Sequence, residues 1–330
     1  MAVYAIYHIN MYHARQTALN LSEQKPVTGE MYQDILESLL QGRLPVNKME
    51  RDNVTLTPLD CSVECKRDRV TLLLLCNEKS HKYYEKKDQE ELIYHPGCYV
   101  VIDNRVGVGP DGRKGVIYMA IERTPAFENK PDKVRDLLEK SFNALLAERE
   151  IVVEIRAQMH EGEFWDAVNE QCDQHGDHVR RVTFDFPNPK KIKTIDAPEE
   201  LNERLLILSA FTSTFNAAKG SLHMEASKDE ALLLDQKQED IAQMVKLCCR
   251  NGYNIAVRFA KYGLYRFGNN IKAFGHIKEE YLKEFTTGQT ILGKAVENNF
   301  ELVNWLDNIR ISTESYTDEE PTPKTRKANH

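Results

Sequence analysis

The chain lacks any run of about 18 consecutive apolar residues, so no segment reads as a membrane-crossing helix. Its longest apolar string, VTLLLLC at Val70–Cys76, suits a buried strand. The opening MAVYAIYHINMYHARQ has no basic region ahead of an apolar core, so it does not read as a signal peptide. G-x-S-x-G, a P-loop ending in G-K-[ST] and H-E-x-x-H are all missing, which leaves three common routes to hydrolysis without their signatures. There is no internal repeat. The seven cysteines are odd in number and scattered, which fits reduced thiols in a cytoplasmic protein better than a disulfide framework.

What is present is an ordinary globular composition. The 330 residues are 41% hydrophobic and 29% charged, enough for two domains. The formal net charge of -7 excludes attraction to DNA by bulk charge, so any anion-binding surface must be local.

Periodicity predicts the elements. VYAIYHINMY alternates as a strand, and TGEMYQDILESLLQGRL has helical spacing closed by Gly42. NVTLTPL, CSVECKRDRVTLLLLCNE, CYVVIDNRVGVG and GVIYMAIER read as strands of a meandering antiparallel sheet. In KPDKVRDLLEKSFNALLAERE, Val134, Leu137, Leu138, Phe142, Leu145 and Leu146 share one helix face. The strand IVVEIRAQ, the short helix EGEFWDAVNEQ and the strand HVRRVTFDF follow.

Beyond Pro187 and Pro189 the pattern predicts a helix in APEELNERLLILSAF and a strand in SLHMEASK. A long helix in DEALLLDQKQEDIAQMVKLCCRNG, a hairpin in YNIAVRFAKYGLYRFGNN and closing helices come next. The expected fold is α+β, a mostly antiparallel sheet with helices on one face, plus a second, smaller α+β domain. The expected divisions are 1–189, 190–312 with a basic hairpin, and a polar disordered tail at 313–330.

Several motifs have a plainer reading beside the functional one. GVGPDG matches G-x-G-x-x-G, but its Pro-Asp-Gly is turn chemistry and a strand resumes after it, so it reads as a hairpin connection. CDQHGDH gathers Cys172, His175 and His178 without a second pair at zinc spacing, so it reads as a polar loop. Cys61 and Cys65 in CSVEC would face the same side of a strand. Asp103 and Glu154, on strands and each followed two residues later by arginine, form an acidic pair that could hold Mg²⁺. The alternative is a charged residue on the solvent face of each strand. No cofactor or metal is expected.

Charge is more informative. Tyr253 to Lys278 contains no Asp or Glu and carries Arg258, Lys261, Arg266, Lys272 and Lys278. Six aromatic residues interleave with them. Cations neutralise phosphates, and aromatics stack on bases. The plainer reading, a hairpin with aromatics inward and cations outward, is compatible with phosphate binding. In RRVTFDF, Val182, Phe184 and Phe186 point to the core, leaving Arg181, Thr183 and Asp185 on the other face. Arg180 and Arg181 precede a Pro-Asn-Pro break, and Lys190, Lys191 and Lys193 follow it, so a hinge there would also be a grip. From Val153 to Asp177 the chain holds seven carboxylates and only Arg156 as a cation, a surface able to shield such a grip.

The order of elements carries a resemblance over about residues 1–190. A first strand, a helix ending ILESLL, hairpins, IERTPAFENKPDKVRDLLEK, IVVEIRAQMHEGEFWDAV and HVRRVTFDFPNP follow one another. This resembles the RexA-like phage-exclusion proteins. The resemblance implies a two-domain homodimer that binds DNA without marked sequence preference and acts in antiviral defence beside an effector protein. It implies no catalytic residue. The combined expectation is a non-catalytic, cytoplasmic nucleic-acid-binding sensor or scaffold. One alternative is a metal-dependent nuclease using Asp103 and Glu154, or a hydrolase around His175 and His178. Another is an interaction subunit using the final amphipathic helix with Ile291, Leu292, Val296, Phe300, Leu302, Val303 and Leu306.

Overall fold

The structure, a computed structural model, describes residues 2–13, 29–49, 56–85, 88–105, 117–159, 161–186, 220–228, 230–267 and 273–311. The expected helix at 197–211, GVGPDG, Lys190, Lys191, Lys193, Lys272 and the tail lie outside these residues.

The first strand, β1 (Ala2–His13), organises the larger sheet. Ala5, Tyr7, Ile9 and Met11 enter one core, while Tyr4 and Ile6 enter another on the opposite face. Strict alternation with both sets apolar is what a strand covered on two sides requires. A small hairpin, β2 (Val46–Met49) with β3 (Leu56–Leu59), and a second, β6 (Lys79–Glu85) with β7 (Asp88–Tyr94), stand apart. The other strands are β4 (Cys61–Arg67), β5 (Val70–Cys76), β8 (Gly97–Asp103), β9 (Ile117–Glu122) and β10 (Ile151–Ala157). They form an antiparallel sheet ordered β10-β1-β9-β8-β5-β4. Helices α1 (Gly29–Leu39) and α2 (Pro131–Leu146) cover one face through Leu36, Val134, Leu138 and Phe142.

The α+β class and the antiparallel sheet are as expected. The second face of the large sheet, however, is covered by the C-terminal residues. Strand β15 (Phe274–Ile277) pairs with β1 from Ala2 to Ala5, beside the stretch Tyr7–His13 that β10 occupies. Helices α5 (Glu279–Thr287) and α6 (Glu301–Ile311) then bury Leu282, Phe285, Leu302, Trp305, Leu306 and Ile309 against Tyr4, Leu72 and Val101. Thus β10 and β15 lie end to end along one edge of β1. The chain leaves this sheet at Gln158 and returns at Ala273, and the Ala273 amide donates to the Gln158 carbonyl at 2.7 Å.

Between those points an inserted unit is built. Helix α3 (Glu161–Asn169) precedes β11 (Val179–Phe186) and β12 (Gly220–Glu225). Helix α4 (Glu239–Asn251) precedes β13 (Ile255–Phe259) and β14 (Gly263–Arg266). Helix, strand, strand therefore occurs twice, and the sheet order β12-β11-β13-β14 places the two first strands antiparallel at the centre. Both helices cover one face, with Phe164, Trp165, Val245 and Cys248 packed on Val182, Phe184, Ile255 and Val257.

This arrangement corrects the expected division at 189/190. β11 belongs to the inserted sheet, and β15, α5 and α6 belong to the first. A composition change marks a loop but not the long-range pairing that assigns a strand to its sheet.

Two helices are shorter than their patterns suggested. In ALLLD, Leu232 and Leu234 are partly buried against the inserted core while Leu233 is 78% exposed, the alternation of extended chain. The Leu232 amide donates to the Val179 carbonyl, and the Asp235 carboxylate accepts from the Lys237 amide before α4 begins. In the final segment, helix starts only at Glu301. Ile291 and Leu292 sit in a turn, 67% and 83% exposed, while Phe300, Leu302 and Leu306 close the large sheet's own core.

Candidate anion-binding cleft

The face of the inserted sheet opposite its helices carries the polar residues. In one cross-strand row, Glu225, Arg181, Arg258 and Leu264 are successive neighbours; in the next, His223, Thr183, Ala256 and Arg266. Arg258 and Arg266 are exposed, and no ion pair is described for either. Arg181 is held by Glu225, with its Nη2 at 2.9 Å from both carboxylate oxygens. This guanidinium holds the Glu225 carboxyl below the usual carboxylate range. The Arg181 Nε is shielded from water and has no hydrogen-bond partner among the described residues. Thr183 Oγ1 and His223 Nδ1 lie 3.1 Å apart.

This face opens into a cleft of about 610 Å³ between the two units. Arg181, Thr183, His223, Asn254 and Arg266 line one wall, and Arg135 of α2 with Arg156 of β10 line the other. Three of the four arginines are each backed by a carboxylate. Arg135 binds Asp136 at 2.8 Å, Arg156 binds Glu154 at 2.8 Å, and Arg181 binds Glu225. Glu154 is itself fixed by the Tyr12 hydroxyl, which donates to it at 2.7 Å. Backing of this kind orients a guanidinium and leaves its outer donors available for a planar anion.

The walls meet at Gly252, the residue that ends α4 with φ +66°. A Cβ there would stand 2.6 Å from the Ala157 carbonyl oxygen and 2.7 Å from the Arg156 Cβ. The close approach and the left-handed backbone each require glycine.

The sequence-predicted cations are therefore sorted. Arg181, Arg258 and Arg266 share the open face. Arg180 sits at a one-residue register shift in β11, and its guanidinium donates to the Glu230 carbonyl. Lys261 donates to the Gly176 carbonyl at 2.9 Å in the turn between β13 and β14. Lys278 precedes α5, on the large sheet, with its ammonium 5.4 Å from the Tyr281 ring centre. Phe259 and Phe267 are in the core, as an inward-aromatic hairpin demands, and Tyr262 is 57% exposed. Reading each segment alone misses Arg135, Arg156 and His223. Arg156 and His223 each have a carboxylate two residues away, Glu154 and Glu225, but nothing in one sequence shows that the fold brings them beside Arg135 of α2.

The acidic run does not cover this face. Its helix α3 packs through Phe164, Trp165 and Val168 on the other side of the sheet, and Glu154 is engaged by Arg156 and Tyr12.

The nuclease pairing fails on geometry. Asp103 and Glu154 lie on β8 and β10, with β9 and β1 between them, so roughly 14 Å of sheet separates the two strands. Asp103 is fully buried, contrary to the solvent-face expectation, and is bound by Arg105 at 2.8 Å; Arg105 in turn reaches Asp307 at 2.7 Å. His175 and His178 are exposed on their loop. Asp177, in the same loop, spends its carboxylate on the amides of His178, Lys261 and Tyr262. Burial alone would raise its pKa, but the amides of Tyr262, His178 and Lys261 outweigh that and hold it below the ordinary value.

Cys61 and Cys65 face opposite sides of their sheet because Glu64 is an extra residue in β4, opposite the step from Leu73 to Leu72. All seven cysteines are free thiols, and burial pushes the Cys61 thiol up to about 12.

Comparison with family models, with curated proteins and with solved structures returned no match. No helix among the described residues is long and apolar enough to cross a membrane. Fold and site together define an α+β protein with a basic cleft between a large sheet and a smaller inserted one.

Proposed function

We propose that the protein is a non-catalytic nucleic-acid-binding protein that holds a phosphate backbone on the open face of its inserted sheet. The observation that carries this reading is the direct cross-strand opposition of Arg181 and Arg258, with Arg266 in the adjacent row. Like charges placed opposite each other destabilise a sheet, and an anion lying across them relieves that cost. Because most aromatics of the basic hairpin point inward, binding rests on phosphates and carries little base preference. The wider reading is a sensor in bacterial antiviral defence that acts as a homodimer and signals to an effector. It rests on the resemblance in element order.

Three phosphate contacts predict that log K falls with log[salt] at a slope of about -2.7 on duplex DNA. Fluorescence anisotropy of labelled duplex and single strands across a salt series, with Mg²⁺ present and products run on a gel, tests this. Salt-sensitive binding with intact DNA supports the reading. Absence of binding at low salt, or cleavage, overturns it.

A further inference from the structure

The open face and the cleft behind it differ in what they accept. On the face, Arg181, Arg258 and Arg266 are spread over two rows of an exposed sheet, suited to successive phosphates of a strand. In the cleft, Arg135 and Arg156 approach from the larger unit and converge with Arg181 and Arg266 on one space of about 610 Å³. That volume falls within the range of small-molecule sites, about 300–1,000 Å³, and suits one nucleotide.

The two walls touch where Gly252 meets Ala157, with no space for even a methyl group, so the cleft is closed at that point. A ligand enters from the open face. Three of the four guanidiniums are backed by carboxylates, so the cleft offers convergent N–H donors from both walls more than net charge, and these match the three terminal oxygens of a phosphate monoester better than the two non-bridging oxygens of a backbone diester. The apolar part of the lining is Ala157, Met159, Ala256 and Leu264, with no Phe, Tyr or Trp among the lining residues, so His223 is the one ring there able to lie against a base.

We infer that the cleft binds a terminal phosphate monoester, either of a free mononucleotide or of a nucleic-acid 5′ end. This deepens the proposed function, since the strand end would lie where the backbone-binding face leads.

The test uses the full chain and two paired sets of probes. A 12-nucleotide single strand with a 5′-phosphate is compared with the same strand carrying a 5′-hydroxyl, and AMP is compared with adenosine as competitor. Added charge-assisted hydrogen bonds predict a preference for the phosphorylated strand of about tenfold. Arg135→Gln, on the surface of α2, should bring that ratio close to one, with folding checked by its melting curve. Competition by AMP but not adenosine assigns the site to free nucleotides as well as ends; a 5′-phosphate preference without AMP competition assigns it to ends alone. Equal binding of both strands with no effect of AMP overturns the inference while leaving the backbone reading standing. Binding of AMP with no strand binding does the reverse. If no probe binds, both fall.

Discussion

Arg181 and Arg258 stand directly opposite each other on neighbouring central strands, and only Arg181 has a described carboxylate partner, Glu225. Opposed side chains in an antiparallel pair have Cβ atoms about 4.5–5.5 Å apart, so the two positive charges belong to one local field. A fold selected for stability alone would place Glu or Thr at one of these positions.

Arg258→Glu therefore separates function from stability. The substitution converts a repulsive pair into an attractive one and should leave the melting temperature equal or slightly higher, by about 0.2–1 kcal/mol of pairing energy. DNA affinity should fall, and the salt slope should flatten by about 0.9 for the lost phosphate. Anisotropy titrations beside a thermal melt read both. Reduced stability with unchanged affinity would contradict the assignment.

Gly252→Ala should destabilise the join between the two units. The left-handed backbone alone costs a residue with a Cβ about 1–2 kcal/mol. The contact with the Ala157 carbonyl adds to that, because backbone on a paired strand has little freedom to retreat. Denaturant unfolding measures the loss, and an unchanged midpoint would show that the walls do not meet as described.

Asp177→Asn addresses the turn that positions β13 against β14. The carboxylate's folded pKa is depressed, so its contribution is present above the unfolded value of about 3.9 and is lost as pH falls through the lower folded value. At pH 7 the variant should be less stable by about 1–3 kcal/mol. The gap between variant and wild type should narrow as pH falls below the unfolded value of about 3.9 and protons bind the folded carboxylate. Melts at pH 7 and pH 3 decide it; a gap that widens in acid would reverse the sign.

Truncation before Glu301 tests whether the last helix is a docking element or a part of the core. Leu302, Trp305, Leu306 and Ile309 are all buried on the large sheet. Each such side chain contributes about 1.5–3 kcal/mol. Together they rival the whole stability of an ordinary domain, about 5–15 kcal/mol. The truncated chain should be insoluble or unfolded by circular dichroism. A folded, soluble product would return this helix to the role of a partner surface.

Much of the fold was legible in the sequence because its signals are local. Alternation in Val3–Tyr12, helical spacing in Val134–Leu146, and the division of Val182 and Phe184 from Arg181 and Thr183 all follow from the geometry of one element. The same local logic failed where a single residue changed the period. Glu64 adds one residue to β4 and sends Cys65 to the face opposite Cys61. The leucines at 232 and 234 have a spacing that a helix reading absorbed, although the chain there is extended.

The candidate site was legible only in part. Arg181, Arg258 and Arg266 stood out by charge, but Arg135 and Arg156 looked like ordinary surface residues of a helix and a strand. The sequence by itself determined which segments pair hydrophobic with polar residues at each period, and therefore the α+β class and the outward direction of the hairpin's cations. Only the tertiary structure decided that Gln158 and Ala273 meet, that the unit between them is an insertion, and that arginines from α2 and β10 close over its sheet. Periodicity is set by neighbours a few residues away, whereas the cleft depends on hydrogen bonds and close approaches between residues far apart along the chain, which a pattern of residue types does not encode.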